Sequence, residues 1–304
     1  MASKQVDANR VVVCGGGLSG LTAAISALEA GVPVTLLEKG AELGGNAILS
    51  GGMIWTYADY DRMRADIPNG DAMIQWMIHE NIDAARTWLA TQGVDLGPDQ
   101  RCHEDFGLGR QMQPPQAIET LGKRFVELGG DLRLESSLDS LITDNGVVRG
   151  VRIARDDRVS DEAARAVVLA TGGFQGNAEL LARYVVRDAA NVTLRANPWS
   201  TGDAFVAATA IGAAASNAYR SPPTMIESVP LMAPISPPLT GASSIVAPAA
   251  AACVARRRAA AGAILLMSMM TVRGCTPTNT PSGPSRTRAT SAESGSIVMM
   301  TVAR

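Results

Sequence analysis

The sequence predicts an α/β fold built around a parallel sheet, and three observations carry that prediction. A wholly apolar run, Val11–Cys14, opens directly into the glycine-rich segment GGGLSG. A helix-compatible segment follows from Leu18 to Ala30, and a second apolar run, Val34–Leu37, comes after Gly31. Strand, glycine turn, helix and strand in that order form a parallel βαβ unit, because parallel neighbours need a crossover and are covered on both faces.

Each piece of this unit has a local reason. Gly15, Gly17 and Gly20 occupy a G-x-G-x-x-G pattern between the first strand and the helix. Gly15 permits the tight turn, Gly17 leaves room for a pyrophosphate against the backbone, and Gly20 lets the helix approach the sheet. The start of the helix offers unpaired N–H groups and a positive dipole end, suited to a diphosphate. The second strand ends at Glu38, whose carboxylate accepts hydrogen bonds from an adenosine ribose and repels a 2′-phosphate, which argues against NADP. These residues point to a dinucleotide without separating FAD from NAD. In the next segment, ELGGNAILSGGMIW, the pairs Gly44–Gly45 and Gly51–Gly52 give two places where backbone can approach a flat or extended ligand. Asn46 and Ser50 add short polar groups between them.

Residues 71–92 have helical spacing, with Ile78, Ile82, Ala85 and Leu89 on one face, and Trp76 and Trp88 read as packing residues. Pro115 opens another helix with Ala117, Leu121, Phe125 and Leu128 as its buried stripe, and Gly129–Gly130 stops it. Leu132 and Leu134 alternate with polar residues. The runs Leu138–Ile142 and Val147–Ile153 flank Asp144-Asn145-Gly146, a hairpin connection. The apolar run Ala166–Ala170 ends in Thr171-Gly172-Gly173 and reads as a strand returning to the nucleotide edge of the central sheet. Residues 201–215 turn and then become helical, with Asp203 either capping that helix or accepting a hydrogen bond from a cofactor hydroxyl.

Composition sets the outer limits. A chain of 304 residues can bury a sizeable core. A net charge of -2 gives no reason to expect nucleic acid or an anionic membrane as partner. Cys14, Cys102, Cys253 and Cys275 form no C-x-x-C pair and no disulfide framework. No apolar leader precedes Val11, and the longest apolar run, Ala259–Met270, is short for a membrane span, so the expected location is cytoplasmic. The cluster Cys102-His103-Glu104-Asp105 has one histidine and one cysteine, too few for a metal centre, and adjacent residues make a poor nucleophile pair. His79 reads as a helix residue, Arg110 as a solvated cation, and Arg256–Arg258 as a basic run without aromatic interleaving. Beyond Met232 the character changes. Residues 233–304 hold seven prolines, seven arginines and one acid, Glu293, giving +6 against -8 for the preceding residues. This is the chemistry of turns and disorder, expected either of a natural flexible tail or of translation in a shifted frame.

Four ordered blocks, VVVCGGGLSGLTAAISALEAG, VTLLEKGAELGGNAILSGG, VVLATGGFQGN and TGDAFVAATAIGAA, resemble the FAD-dependent oxidoreductase 2 family, the fumarate reductase/succinate dehydrogenase flavoprotein type. The resemblance spans roughly residues 10–218. It implies a Rossmann-like FAD-binding domain of the glutathione-reductase type, with Gly15, Gly17, Ser19 and Gly20 around the FAD diphosphate. Glu38 would hold the adenosine ribose with Lys39 beside it, and Gly45, Asn46, Gly51 and Gly52 would line the approach to the diphosphate and flavin ring. Leu138 would place backbone against adenine, Thr171 and Gly172 would close the same side, and Asp203 would contact the cofactor. Ala47 stands where many relatives have serine or threonine, and the loop lacks the histidine through which some relatives attach FAD, so noncovalent FAD is implied. The implied reaction is hydride transfer between flavin and a carbon–carbon bond beside a carbonyl or carboxylate of a small-molecule substrate. After residue 218 the capping domain is incomplete and the late A-x-G-E-like segment is not recognisable, so no catalytic residue is assigned. The expected organisation is an FAD-binding domain over 1–218 and a poorly ordered tail over 219–304, with the oligomeric state open. The alternatives are an inactive flavoprotein fragment, another FAD enzyme such as a monooxygenase, or an NAD-linked dehydrogenase.

Overall fold

The computed structural model describes residues 9–215, apart from 69, 103–105, 186–187, 192 and 195, together with 296–299. The opening unit is the expected one: β1 (Val11–Cys14), α1 (Leu18–Glu29) and β2 (Val34–Leu37). β1 and β2 pair in parallel, Val11 opposite Val34 through Cys14 opposite Leu37. The full sheet runs β6 (Asp131–Arg133), β2, β1, β10 (Ala166–Leu169) and β11 (Ser296–Met299), with every neighbouring pair parallel. The returning strand predicted at Ala166–Ala170 therefore lies beside β1. The sequence reading gave no element to Ser296–Met299, whose run of four residues carries too little pattern to stand out from its surroundings. The other features singled out in 219–304, among them Cys253, Arg256–Arg258 and Ala259–Met270, lie outside the described residues.

Both faces of this sheet are covered at its centre, which is why β1, β2 and β10 are almost wholly apolar, whereas the edge strand β6 is Asp-Leu-Arg. On one face α1 packs with α3 (Ala72–Thr91) and α4 (Pro114–Glu127), and Leu21, Ile25, Leu36, Leu121 and Phe125 are wholly enclosed there. Each such side chain contributes about 1.5–3 kcal/mol on burial. On the other face lies an antiparallel meander of β7 (Ser137–Asp144), β8 (Val147–Arg155) and β9 (Arg158–Ala163), joined by α6 (Asp203–Ala210). The β7–β8 hairpin turns at Asn145 and Gly146, with φ of 50° and 76°, as a two-residue primed turn requires. β9, with the polar sequence RVSDEA, offers no apolar alternation and was not foreseen. Among the described residues no helix is long and apolar enough to cross a membrane.

A third unit follows the glycine loop. β3 (Met53–Tyr57) pairs antiparallel with β5 (Gly107–Gln111), which pairs with β4 (Gln100–Cys102). α2 (Tyr60–Asp66) and α3 lie alongside β3. Trp88 on α3 is buried as expected, but Trp76 is half-exposed: it lies two residues after Ile74, about 200° around the helix from the stripe of Ile74, Ile78, Ile82 and Leu89. The side chain of Arg86, only 2% exposed, joins this unit together. Its guanidinium donates to the carbonyl oxygens of Ile54 at 3.1 Å and Leu108 at 2.7 Å, and pairs with Asp83 at 2.7 Å. One buried cation thus satisfies acceptors on two strands from a helix. Replacing it by methionine keeps volume and strands those acceptors, so Arg86→Met is expected to lower stability by about 2–4 kcal/mol. Asp83→Asn, at an exposed partner, is expected to cost about 1 kcal/mol or less. Denaturant titration of both variants tests the difference.

Candidate functional site

A cavity of about 300 Å³ opens at the carboxyl ends of β1, β2 and β10, where Cys14, Gly15, Leu37, Glu38, Ala170 and Thr171 line it. This is the place at which open parallel sheets bind ligands. The three motif glycines have separate reasons to be there. At Gly15, φ is 110° and a β-carbon would stand 2.3 Å from the Ala170 carbonyl oxygen. At Gly20 it would stand 1.8 Å from the Gly15 carbonyl oxygen, so this residue sets the distance between α1 and the strand ends. At Gly17 the nearest protein atom would be 3.6 Å away, and φ of -76° suits any residue. Protein packing therefore does not require glycine there, and the space beside it opens to the cavity. Gly17 is also the N-cap of α1, makes no side-chain cap, and no acid occupies the first turn, so the N–H groups at the cavity are left to an incoming anion.

Glu38 is buried, and each of its oxygens accepts one backbone N–H at 2.7 Å, Gly16 on Oε2 and Gly40 on Oε1. A carboxylate has about four acceptor positions, so the residue that clamps the turn keeps capacity for a ribose hydroxyl. The glycine loop docks on this turn: Gly44 donates to the Gly16 carbonyl at 2.9 Å, and Gly17 bridges Gly44. Asn46 then reaches across the cavity, accepting from the Asn197 N–H at 2.7 Å and donating to Ser200 Oγ at 3.1 Å.

Asp203 stands first in α6 and is not its cap; Gly202 occupies the cap position. Lys39 reaches the Asp203 carboxylate at 3.1 Å and the Thr201 hydroxyl at 2.7 Å, and Thr201 donates to Asp203 at 2.6 Å. The capping role is instead filled from another element: Thr171 Oγ1 accepts from the Ala204 N–H at 3.2 Å. A side chain fixed by a lysine from the turn after β2 is unavailable to its own helix.

Of the fourteen residues expected at the site, Gly15, Gly17, Ser19, Glu38, Lys39, Gly45, Asn46, Gly52, Leu138, Thr171, Gly172 and Asp203 line the cavity. Gly20 acts from behind through packing, and Gly51 lies exposed beside the cavity, its carbonyl accepting from Gln111. Sequence reasoning missed Ser136, Ser137 and the Asn197–Ser200 turn, which carry no motif, and the apolar wall of Met53, Ile54, Trp55, Tyr57, Ile78 and Ile82. The helical stripe had already marked Ile78 and Ile82 as inward-facing, which was the available signal.

Cys14 also lines the cavity. Burial, and secondarily the Asp203 carboxylate, pushes its thiol up to about 12, so it is a neutral packing group at physiological pH. Arg110 forms a bidentate pair with Asp99 at 2.8 and 2.9 Å and does not line the cavity. Residues 103–105 lie outside the described residues, among which no group of three histidine, cysteine or acidic side chains is arranged for a metal.

An uncapped helix start, a glycine with ligand-sized space, a ribose-competent acid and an apolar wall fit a flavin dinucleotide. The profile of a family described as FAD binding domain matches residues 10–267. The chain belongs to this FAD-binding family. The match continues past residue 218, where the likeness read from motifs ends. The probable fumarate reductase Ifc3 of Shewanella frigidimarina is 28% identical over 70% of this chain and 40% of its own length. The urocanate reductase of Eggerthella lenta is 31% identical over 67% of this chain and 38% of its own. The open conformation of a flavocytochrome c3 fumarate reductase superposes with a TM-score of 0.60 at 26% identity, covering 68% of this chain and 41% of that one. A 3-ketosteroid-Δ4-(5α)-dehydrogenase from Rhodococcus jostii RHA1, at 22% identity and a TM-score of 0.60, shares the fold. The chain spans between 21% and 40% of the length of the curated relatives named for fumarate reduction.

Two predictions follow from the local geometry of this FAD-binding domain. Gly20→Ala is expected to destabilise the fold by about 3 kcal/mol through overpacking, whereas Gly17→Ala should stay within about 1 kcal/mol of the parent and weaken FAD binding roughly tenfold or more, through lost N–H contacts to phosphate. Thermal melts and flavin titration of both variants check this separation. Cys14 is expected to resist iodoacetamide at pH 8 while the chain is folded and to react once it is denatured, read by mass spectrometry of the peptide that contains it.

Proposed function

We propose that this chain is the cofactor-holding part of an FAD-dependent oxidoreductase of the fumarate reductase type. Its reaction class is hydride transfer at a carbon–carbon bond beside a carbonyl or carboxylate of a small-molecule substrate. The observation that carries this reading is the uncapped start of α1 facing a cavity that also contains Glu38 and an apolar wall. The fumarate and urocanate reductases among the relatives support the reaction class. FAD, when bound, supplies the hydride chemistry. Gly15, Gly17 and Ser19 hold the diphosphate against backbone N–H groups, Glu38 takes the ribose through its remaining acceptor positions, and Thr171 and Gly172 close the opposite side. Met53, Ile54 and Met112 exclude water from the far end.

The cofactor is held noncovalently in this proposal. The 44–52 loop contains no histidine, and the neutral Cys14 thiol is no nucleophile. A cytoplasmic location belongs to the same proposal and rests on the free thiols of Cys14 and Cys102.

The ionisable side chains lining the cavity are Cys14, Glu38, Lys39, Tyr57 and Asp203. Glu38 is clamped by two N–H groups, and Lys39 and Asp203 neutralise each other. Burial, followed by the Asp66 carboxylate, holds the Tyr57 phenol above its ordinary range. Among the described residues, each charged side chain that lines the cavity is thus already engaged by protein groups. This favours a second reading at the level of activity, in which the chain binds flavin without efficient turnover.

One set of measurements tests both. Purified chain mixed with FAD is expected to show a perturbed flavin absorbance, and acid precipitation is expected to release all of the flavin to the supernatant. After anaerobic chemical reduction, added fumarate is expected to reoxidise the flavin no faster than it does free reduced FAD. No perturbation at all would remove the cofactor assignment, and flavin in the pellet would remove the noncovalent one. Fast reoxidation would remove the second reading and leave the first.

A further inference from the structure

Trp199 belongs to none of the motif blocks, yet it lines the cavity with 51% of its surface exposed. Single exposed apolar side chains are ordinary, so exposure alone means nothing here. Its position is more informative. The indole Cδ1 lies 3.4 Å from the point where a β-carbon on Gly40 would stand, and Glu38 Oε1 lies 3.3 Å from that same point. The ring edge is therefore set against the end of β2, beside the acid that faces a ribose.

The turn that presents the ring is held by hydrogen bonds at Asn197, Trp199, Ser200 and Thr201. The Trp199 N–H donates to Asn197 Oδ1 at 2.7 Å, and its carbonyl accepts from the Thr201 N–H at 2.9 Å. Asn46 holds Asn197 and Ser200 from one side, and Lys39 holds Thr201 from the other. A mobile surface turn needs none of these bonds. A flat aromatic of low conformational freedom, half in solvent at the edge of a nucleotide cavity, is suited to stack on a flat base.

We propose that Trp199 is an adenine-stacking residue, which makes this site select adenine dinucleotides over flavin mononucleotide. The inference rests on the reading of the cavity as an FAD site and adds to it a residue and a source of selectivity. It is independent of the flavin end, so ADP serves as a probe for it.

The test compares Trp199→Leu, which keeps apolar bulk, with Trp199→Phe, which keeps a flat ring. Trp199→Leu is expected to weaken both ADP and FAD by roughly 5- to 150-fold, and Trp199→Phe by about threefold or less. FMN, which lacks adenosine, is expected to bind both variants as it binds the parent. ADP is expected to quench tryptophan emission in the parent, and the quench should vanish in Trp199→Phe despite retained binding. Equal ADP affinity in the leucine and phenylalanine variants overturns the proposal. So does a lowered melting temperature of ligand-free Trp199→Leu with parallel loss of ADP and FMN, which would make the indole a packing group. A parent chain that binds neither FAD nor ADP fails at the earlier step, the identity of the site itself.

Discussion

The distance of closest approach between α1 and the ends of β1 and β10 governs this molecule. Gly20 abuts the Gly15 carbonyl and Gly15 abuts the Ala170 carbonyl, so three backbones meet with no side chain between them. That contact aims the start of α1 at the cavity and holds Thr171 close enough to cap α6. A methyl group at Gly20 pushes the helix off the sheet, and the core of Leu21, Ile25 and Phe125 that the helix covers must open with it, while one at Gly15 collides with the end of β10. Fold and site are therefore not separable at this junction: the packing that completes the core is also what orients the N–H groups.

Glu38 shows the same economy in electrostatic form. Its carboxylate sits in a buried position that would be costly for an unpaired charge. Two backbone N–H groups, one from the turn after β1 and one from the turn after β2, satisfy it. The acid is thereby held at the cavity without a cationic partner, leaving oxygen lone pairs for a ligand hydroxyl. Lys39, next in sequence, could have neutralised it but points to Asp203 instead. The consequence is a division of labour between adjacent residues, one clamping the turn at the cavity and one fastening the 199–203 turn.

Those features were legible in the sequence to different degrees. The βαβ unit, α3, α4, the β7–β8 hairpin and β10 were readable because glycine, proline and apolar spacing act locally. Twelve of the fourteen expected residues line the cavity, and those of the turn after β1 could be read because a glycine turn is a backbone motif written in consecutive residues. The Asn46–Asn197 and Thr171–Ala204 contacts were not readable, since each joins residues far apart in the chain through one short side chain. The capping alternative for Asp203 failed for that reason: propensity identified a good cap, and Lys39, in the turn after β2, holds its carboxylate instead. β3 escaped because MIWTY has no polar alternation, being partly enclosed by α3 and the cavity.

The charge pattern carries one step further than the shape. Among the lining residues Lys39 is neutralised by Asp203, and the remaining positive potential comes from the start of α1, where no acid opposes it. Partial charge on backbone N–H groups suits a diphosphate, whose oxygens can lie along several of them at once. The apolar part of the lining, Met53, Ile54, Tyr57, Ile78 and Ile82, brings no cation of its own into the cavity among the described residues. Holding a cofactor and selecting a carboxylate are physically separate tasks, and the backbone charge at the start of α1 is of the kind that suits the first.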